Sequence, residues 1–404
     1  MKHSPLTAPS LPRCFSLPET PGGTFTDIAG TQAGVAQGAI KRAGRDDVVV
    51  LVAPGSAAAV TTRSTAAAAP CLWTRALVPG RAHAVVVNAG NANASTGVQG
   101  ERDVRVTAAA AAQALGCAAS EVLICSTGVI GVPMPMDRLV TAVVAAAQDL
   151  GPHGHRAARA ILTTDLVPKE ALVQVGDVRV AGIAKGSGMI HPDMATMLAF
   201  LATDAAVEPA LLQEVLAAAV RRTFNAVTVD GDMSTNDTVT LHATGRGVEV
   251  RRGDPAEGAL RDAVESVCLR LARAIARDGE GADHLLEVLV EGTADEATAM
   301  AAARAVARSP LVKTAIHGRD PNWGRIVGAL GAAGVPLGGL DLDLAGVPVL
   351  RDGAPLPFDE AGASAALEAP DVQIHARLPG PGLGWAWGCD LSERYVHINA
   401  DYRS

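Results

Sequence analysis

KGSGMIHPDMATMLAF (185–200) places Thr196 behind the small Ala195 at the head of an apolar run. Two extended runs precede it, ALVQV and VRVAGIA on either side of Gly176 and Asp177, and they read as a hairpin leading straight to Lys185. The apolar run itself reads as a further strand of the same core. Thr196 also carries a chemical possibility. A hydroxyl is a poor nucleophile until a base takes its proton, and a free α-amine on the same residue is one of the few built-in bases. If the Ala195–Thr196 bond is cut, Thr196 gains such an amine, with a reference pKa of about 7.7–8.0 and hence a useful neutral fraction near neutral pH. The plainer alternative, that ATML only opens a buried strand, fits the same residues, because Thr is a common strand residue.

Working outward, DVVVLVA (47–53), HAVVVN (83–88) and EVLICST (121–127) read as buried strands bounded by Gly, Pro or Asn. They alternate with segments whose apolar spacing fits helices over 103–115, 136–150, 208–222 and 257–277. Without a strict βαβ rhythm, this mixture points to an α+β architecture of layered sheets flanked by helices. Residues 1–30 read as a loose N-terminal arm, since Pro5, Pro9, Pro12, Pro18 and Pro21 interrupt its first part. A Gly- and Pro-rich passage, 334–357, reads as a separator before a terminal region containing VQIHARL and WGCDLSERYVHIN.

Composition sets bounds. With 404 residues, 49% of them apolar and 19% charged, the chain can bury a large core in about two domains. A net charge of −8 argues against nucleic acid or an anionic membrane surface as the main partner. Cys14, Cys71, Cys117, Cys125, Cys268 and Cys389 are scattered without a CxxC pair, so neither a disulfide framework nor a zinc site is indicated, and a reducing cytoplasm fits. No apolar stretch has the ~20 residues that span a bilayer, and the first residues lack the apolar core of a secretory signal.

Further motifs stand in order along the chain: NAGNANAST (88–96), CSTGVIG (125–131), LTTDLVPK (162–169), FNAVTVDGDMSTNDT (224–238), RDGEGA (277–282), SPLVKTAIHGRDPNWGR (309–325) and WGCDLSERYVHINADYRS (387–404). With 185–200, this pattern resembles the glutamate N-acetyltransferase family, also called ornithine acetyltransferases, over roughly residue 33 to the last residue. The resemblance implies stacked sheets flanked by helices, a smaller C-terminal α/β domain, and self-cleavage between Ala195 and Thr196. Residues 31–195 and 196–333 would then form the alpha- and beta-chain portions of the catalytic body, with 334–404 closing the active site. It further implies transfer of acetyl from N-acetylornithine to glutamate through an acetyl-Thr196 intermediate, in arginine biosynthesis. Thr127 and Gly128 match the family's oxyanion-stabilising positions. Thr163, Lys185, Thr196, Glu280, Asn399 and Ser404 match its substrate-binding positions. Lys185 is expected to meet the substrate carboxylate and Glu280 its amino group. The apolar alternation in RYVHINADY reads as a chain end able to dock as a pocket wall. A heterotetramer of two alpha and two beta chains is implied, with no cofactor. Acetyl-CoA use as a co-substrate is left open; Lys169, Arg319 and Arg325 are basic residues within reach of the motif segments, each equally readable as ion-paired.

Two features depart from the family pattern: Ser95 stands where Cys is usual, at what reads as a packing position, and the first 30 residues have no counterpart. Other signals fail on inspection. DGDMSTND (230–237) begins like a calcium loop but has Thr235 at the required Gly and Leu241 at the required Glu. His191 and Asp193 lack a second ligand cluster, and KGSG lacks the order of a phosphate loop, so no metal or nucleotide is indicated. Three functions remain: the acetyltransferase, a self-processing amidase or aminopeptidase that passes the acyl group to water, and a non-catalytic scaffold, which would stay a single intact chain.

Overall fold

Alternate residues of the run 48–53 enter opposite faces of one sheet. Val49, Leu51 and Ala53 join one apolar cluster, and Val48, Val50 and Val52 join another. With both faces covered, the run has no polar side to show, which is why it reads as continuous apolar sequence. The computed structural model describes residues 11–191 and 197–401, and the chain divides into two compact units. No helix among the described residues is long and apolar enough to cross a membrane.

The first unit, Pro12–Asn225 with Asp232–Leu271, is built on β1 (Gln32–Ala36), β2 (Val48–Thr61), β3 (Gly80–Asn91), β4 (Val122–Val129), β5 (Lys169–Val175), β6 (Val178–Lys185), β7 (Leu198–Thr203), β8 (Ala206–Val207), β9 (Thr238–Ala243) and β10 (Glu249–Val250). The main sheet runs β4-β3-β2-β9-β7-β6-β5, with β1 on β2, while β8 and β10 form a separate parallel pair. The hairpin expected around Gly176 is β5 and β6, paired from Lys169–Ala184 to Val175–Val178.

Strand β2 belongs to both halves of that sheet. Its first part pairs with β3 and its last part with β9, and the register slips between Val52 and Gly55. Only glycine fits at position 55, since a Cβ there would lie 2.0 Å from the Ala243 carbonyl oxygen. Beyond this irregularity the two halves share one core: Val85, Val87, Leu123 and Cys125 from one half cluster with Ala181, Ile183, Leu198 and Phe200 from the other. The opposite face of β2–β4 is covered by Val104, Ala108, Ala111, Leu139, Val143 and Ala146 of helices Gly97–Leu115 and Met136–Gln148.

The second unit, Ala226–Gly231 with Ala272–Tyr402, holds β11 (Leu285–Thr293), β12 (Asp341–Leu344), β13 (Val347–Arg351), β14 (Ala354–Pro355), β15 (Asp371–Arg377) and β16 (Gly382–Cys389), in the order β14-β13-β12-β15-β11-β16. On β15 the alternation is visible in the sequence: Val372, Ile374 and Ala376 are core, while Asp371, Gln373, His375 and Arg377 are only half-buried. Helices Glu296–Arg308 and Pro310–His317 cover the core face. Their starts are fixed by Asp295, which accepts the Thr298 N–H, and by Ser309, which accepts that of Val312 ahead of Pro310.

The two units give the mixed α/β architecture expected of the sequence. Other expectations need correction. The passage 334–357 is no separator, because it supplies β12, β13 and β14. Residues 12–30 are not loose: Cys14, Phe25 and Ile28 are at most 2% exposed, and Phe25 and Ile28 sit in the main core. Prolines suppress regular structure without preventing burial of the apolar residues between them. Ser95 is exposed at φ +56 and is not a packing position.

Candidate active site

Strand β4 closes on Ser126, Thr127, Gly128 and Val129. Its last residues are irregular, since Asn91 of β3 faces both Thr127 and Val129, leaving a bulge at Gly128. Gly128 has φ +131, and a Cβ there would lie 2.3 Å from the carbonyl carbon of Gly90, so no other residue fits this turn. The turn is fixed from outside. The Asn236 amide donates to the Ser126 carbonyl at 2.9 Å and to that of Ala92 at 2.6 Å, while Ser126 Oγ donates to Asn88 Oδ1 at 2.7 Å.

Lys185 closes β6 and is 2% exposed. Its Nζ donates to Thr163 Oγ1 at 2.8 Å and to Thr127 Oγ1 at 3.5 Å. Asp165, whose side chain is fully buried, lies 3.7 Å from Lys185 Nζ and 2.7 Å from Lys169 Nζ. It also accepts the Gly186 N–H at 2.5 Å and the Thr163 N–H at 3.2 Å. Burial pushes the Asp165 carboxyl up, but the two ammoniums and these donors outweigh it and hold the group at about 2. Three of the expected site residues, Thr127, Thr163 and Lys185, are thus joined through the Lys185 ammonium, and Gly128 shapes the turn beside Thr127.

Asp237 begins the approach to β9. Its Oδ1 accepts the N–H of Met197 at 3.0 Å, and the Met197 carbonyl accepts the N–H of Thr238. The strand that follows Thr196 is therefore anchored at its first described residue. Burial drives the Asp237 carboxyl well above the ordinary range, although the Met197 N–H and the Lys185 charge favour its ionised form. Ala195 and Thr196, where cleavage and nucleophile are expected, lie outside the described residues, as does Ser404.

In the second unit Glu280 Oε2 accepts the Asn399 side-chain amide at 2.8 Å, pairing two more expected residues. The helix carrying Asn399, Glu393–Asp401, buries none of its residues, so the alternation in RYVHINADY does not dock as an apolar wall; polar contacts hold it instead. Ser392 Oγ donates to the Gly281 carbonyl at 2.6 Å and Arg394 to the same oxygen at 3.2 Å. Asp390, buried, accepts the N–H groups of Asp283 and His284 and the Nδ1–H of His317 at 2.9 Å. Asp283, His317 and Asp390 have cation-ligating atoms in common range, but with the imidazole and carboxylate in hydrogen-bond contact the cluster is a brace for the 280–284 loop.

Other groups are set aside on the same grounds. Burial raises the Cys125 thiol well above its usual value and that of Cys71 to about 12, so neither is a nucleophile. Lys169 is buried against Asp165 and presents no surface cation, Arg319 is paired with Glu368 at 2.7 Å, and Arg325 donates to the Leu311 carbonyl. Sequence reasoning missed Asp165, Asn236 and Asp237. Each stands as a polar residue inside a motif already singled out, which was the available signal.

The pattern of the ArgJ family matches residues 31–404, a span that contains every one of these positions. The chain belongs to the ArgJ family. It is 48% identical over 396 residues to the arginine biosynthesis bifunctional protein ArgJ of Parasynechococcus marenigrum (strain WH8102), covering 94% of this chain and 95% of that one. The protein of the same name from Thermus thermophilus is 48% identical over 380 residues, covering 92% and 98%. Among solved structures, the arginine biosynthesis bifunctional protein of Bacillus halodurans is 42% identical with a TM-score of 0.49, covering 50% of this chain and 98% of that chain. The resemblance drawn from the motifs is thus a family membership, and the ArgJ match begins where the sequence pattern did, after the first 30 residues.

Proposed function

We propose that this ArgJ-family chain is a glutamate N-acetyltransferase of arginine biosynthesis that first cuts itself between Ala195 and Thr196. In that step Thr196 Oγ attacks the Ala195 carbonyl carbon, the C–N bond breaks as the nitrogen takes a proton, and water hydrolyses the resulting ester. The products are chains of 195 and 209 residues. They stay together, since β6 and β7, which flank the cut, are paired neighbours of one sheet. Two copies of each make the α2β2 assembly that the family pattern implies, and a cytoplasmic location suits the biosynthetic role.

Catalysis then reuses the oxygen. The Thr196 amine takes the Oγ proton, directly or through a water, and Oγ attacks the acetyl carbonyl of N-acetylornithine. Ornithine leaves, and glutamate removes the acetyl group from the enzyme. Charge developing on the carbonyl oxygen needs donors fixed in advance, a role assigned to the Thr127 hydroxyl and the Gly128 N–H. Lys185, Thr163, Glu280, Asn399 and Ser404 receive the amino-acid part, the cation serving the carboxylate and Glu280 the ammonium. The observation that carries this reading is the buried Lys185 ammonium bonded to the Thr127 hydroxyl, beside a turn that only Gly128 can make.

The test is incubation with N-acetylornithine and glutamate, following N-acetylglutamate and acetate together, with Thr196→Ala as the control. N-acetylglutamate formed without matching acetate supports the transferase; acetate alone supports the amidase or aminopeptidase alternative; neither product, from a correctly folded chain, rejects both.

A further inference from the structure

A buried carboxylate oxygen is costly to leave without a donor, so an orphan of this kind calls for a partner. Asp237 carries one. The residue is fully buried; its Oδ1 accepts the Met197 N–H at 3.0 Å, while its Oδ2 has no hydrogen-bond partner among the described residues. Burial raises this carboxyl against the pull of the Met197 N–H, Lys185 and Ser234, yet none of the three donates to Oδ2. The backbone around it is held on both sides. The Asp237 carbonyl accepts the Thr62 N–H at 2.9 Å, and the next residue, Thr238, donates its N–H to the Met197 carbonyl and pairs with Leu198 in the β7–β9 ladder.

Covalent geometry brings one further nitrogen within reach. The nitrogen of Thr196 is three bonds from that of Met197, so the two are at most about 3.7 Å apart whatever the torsion between them. A carboxylate can receive two neighbouring N–H donors, one on each oxygen. In the uncut chain the Thr196 nitrogen is an amide, whose lone pair is delocalised and not basic. Cleavage makes it an amine. Tethered to Oδ2 through one N–H, that amine keeps its lone pair off the carboxylate and open to the proton of Oγ on the same residue. One proton then moves from Oγ to nitrogen, and it is passed on to the ornithine nitrogen as ornithine leaves. In between, the positive charge on nitrogen faces the carboxylate, which is how the third member of a hydrolase triad supports its base. The ammonium in turn favours the ionised carboxyl, opposing the effect of burial.

We infer that Asp237 is the positioning residue of the mature nucleophile: Oδ1 holds the Met197 N–H and Oδ2 receives the α-amine that cleavage creates on Thr196, orienting that base towards Oγ. The inference rests on the transferase reading above and adds to it the group that orients the base.

Asp237→Asn separates this from a structural role. The variant keeps an oxygen for the Met197 N–H but sets an NH2 group, which donates and accepts nothing, where Oδ2 stood. Lys185 at the end of β6 and the Cys71 thiol, the other titratable groups that act on or respond to this carboxyl, are unchanged in it. Three quantities are compared with wild type: the extent of self-cleavage, the kinetics of acetyl transfer from N-acetylornithine to glutamate, and the pKa of the Thr196 amine. The last is read from the pH dependence of carbamoylation by cyanate, scored by the mass of the N-terminal peptide of the second chain. The variant should still cut itself, because the Met197 anchor survives. Its kcat should fall on the order of 10²-fold with KM nearly unchanged, the lower end of what an effective general base contributes. Its amine pKa should fall by about one unit or more, since a facing carboxylate has been removed. An unchanged kcat, a rise in KM alone, or an amine pKa that stays put or rises overturns the inference while leaving the transferase reading intact. A variant that stays uncut also overturns it, by placing Asp237 in the cleavage step instead. If wild-type protein transfers no acetyl group, it is the transferase reading which fails.

Discussion

Lowering the pH from 7 to about 4 should weaken the first unit through one imidazole. His242 lies next to the end of β9, 1% exposed, with its Nδ1 3.1 Å from the Ala53 carbonyl oxygen. Because a carbonyl only accepts, Nδ1 carries the proton and Nε2 is the basic atom, and Nε2 is buried without a partner. Protonating it would bury a charged N–H with nothing to receive it. Burial accordingly pulls the group from an ordinary 6.5 to about 4, against the modest upward pull of the Ala53 contact. Between these values the unfolded chain binds a proton that the folded chain refuses, so the stabilisation is complete above about 6.5 and is lost as the pH falls towards 4. At about 1.4 kcal/mol per tenfold change in proton activity, the loss over that window is about 3 kcal/mol. The assay is urea unfolding at pH 7.0 and 4.2 of Thr196→Ala, which keeps one uncut chain, with and without His242→Asn, whose amide nitrogen replaces Nδ1. The Asn variant should start less stable but lose about 3 kcal/mol less on acidification. Equal losses in both chains would show that His242 is protonated in the folded protein, and the burial argument would be wrong.

Thr127→Ala should lower kcat on the order of 10²-fold with little change in KM, since an oxyanion donor acts mainly in the transition state; an effect confined to KM would move Thr127 into substrate binding. Glu280→Gln should do the reverse, raising KM more than it lowers kcat, and unaltered kinetics would remove Glu280 from the site. Supplying glutamate and acetyl-CoA without N-acetylornithine should release thiol above a Thr196→Ala control if the chain has the second activity; release equal to the control makes it monofunctional. Edman sequencing of the purified protein should give Thr-Met-Leu-Ala from one of two chains of similar size, and a single full-length chain in active preparations would remove the self-cleavage step.

Local sequence carried much of the fold because its signals are local in cause. The apolar runs at 47–53, 83–88 and 121–127 became β2, β3 and β4, and the helices expected over 136–150, 208–222 and 257–277 came within two residues at each end, while that expected over 103–115 starts six residues earlier, at Gly97; side-chain periodicity is a property of neighbouring residues. Where proline and glycine obscured that periodicity, in 12–30 and 334–357, the reading failed: burial of Phe25 and pairing of β12 with β15 depend on partners far along the chain. The motifs named Thr127, Thr163 and Lys185 individually, yet nothing in their spacing says that positions 127 and 185 meet. They meet because β2, slipping register at Gly55, joins two half-sheets around one core, and the Lys185 ammonium reaches Thr127 across it. Asp165 and Asp237 show the same limit more sharply. Both are aspartates inside quoted motifs, but one is held low between two lysines and the other is pushed well up by burial beside the Met197 N–H. Residue type fixes the carboxyl group, and only the tertiary surroundings fix its charge, because desolvation and neighbouring charges act through space rather than along the chain.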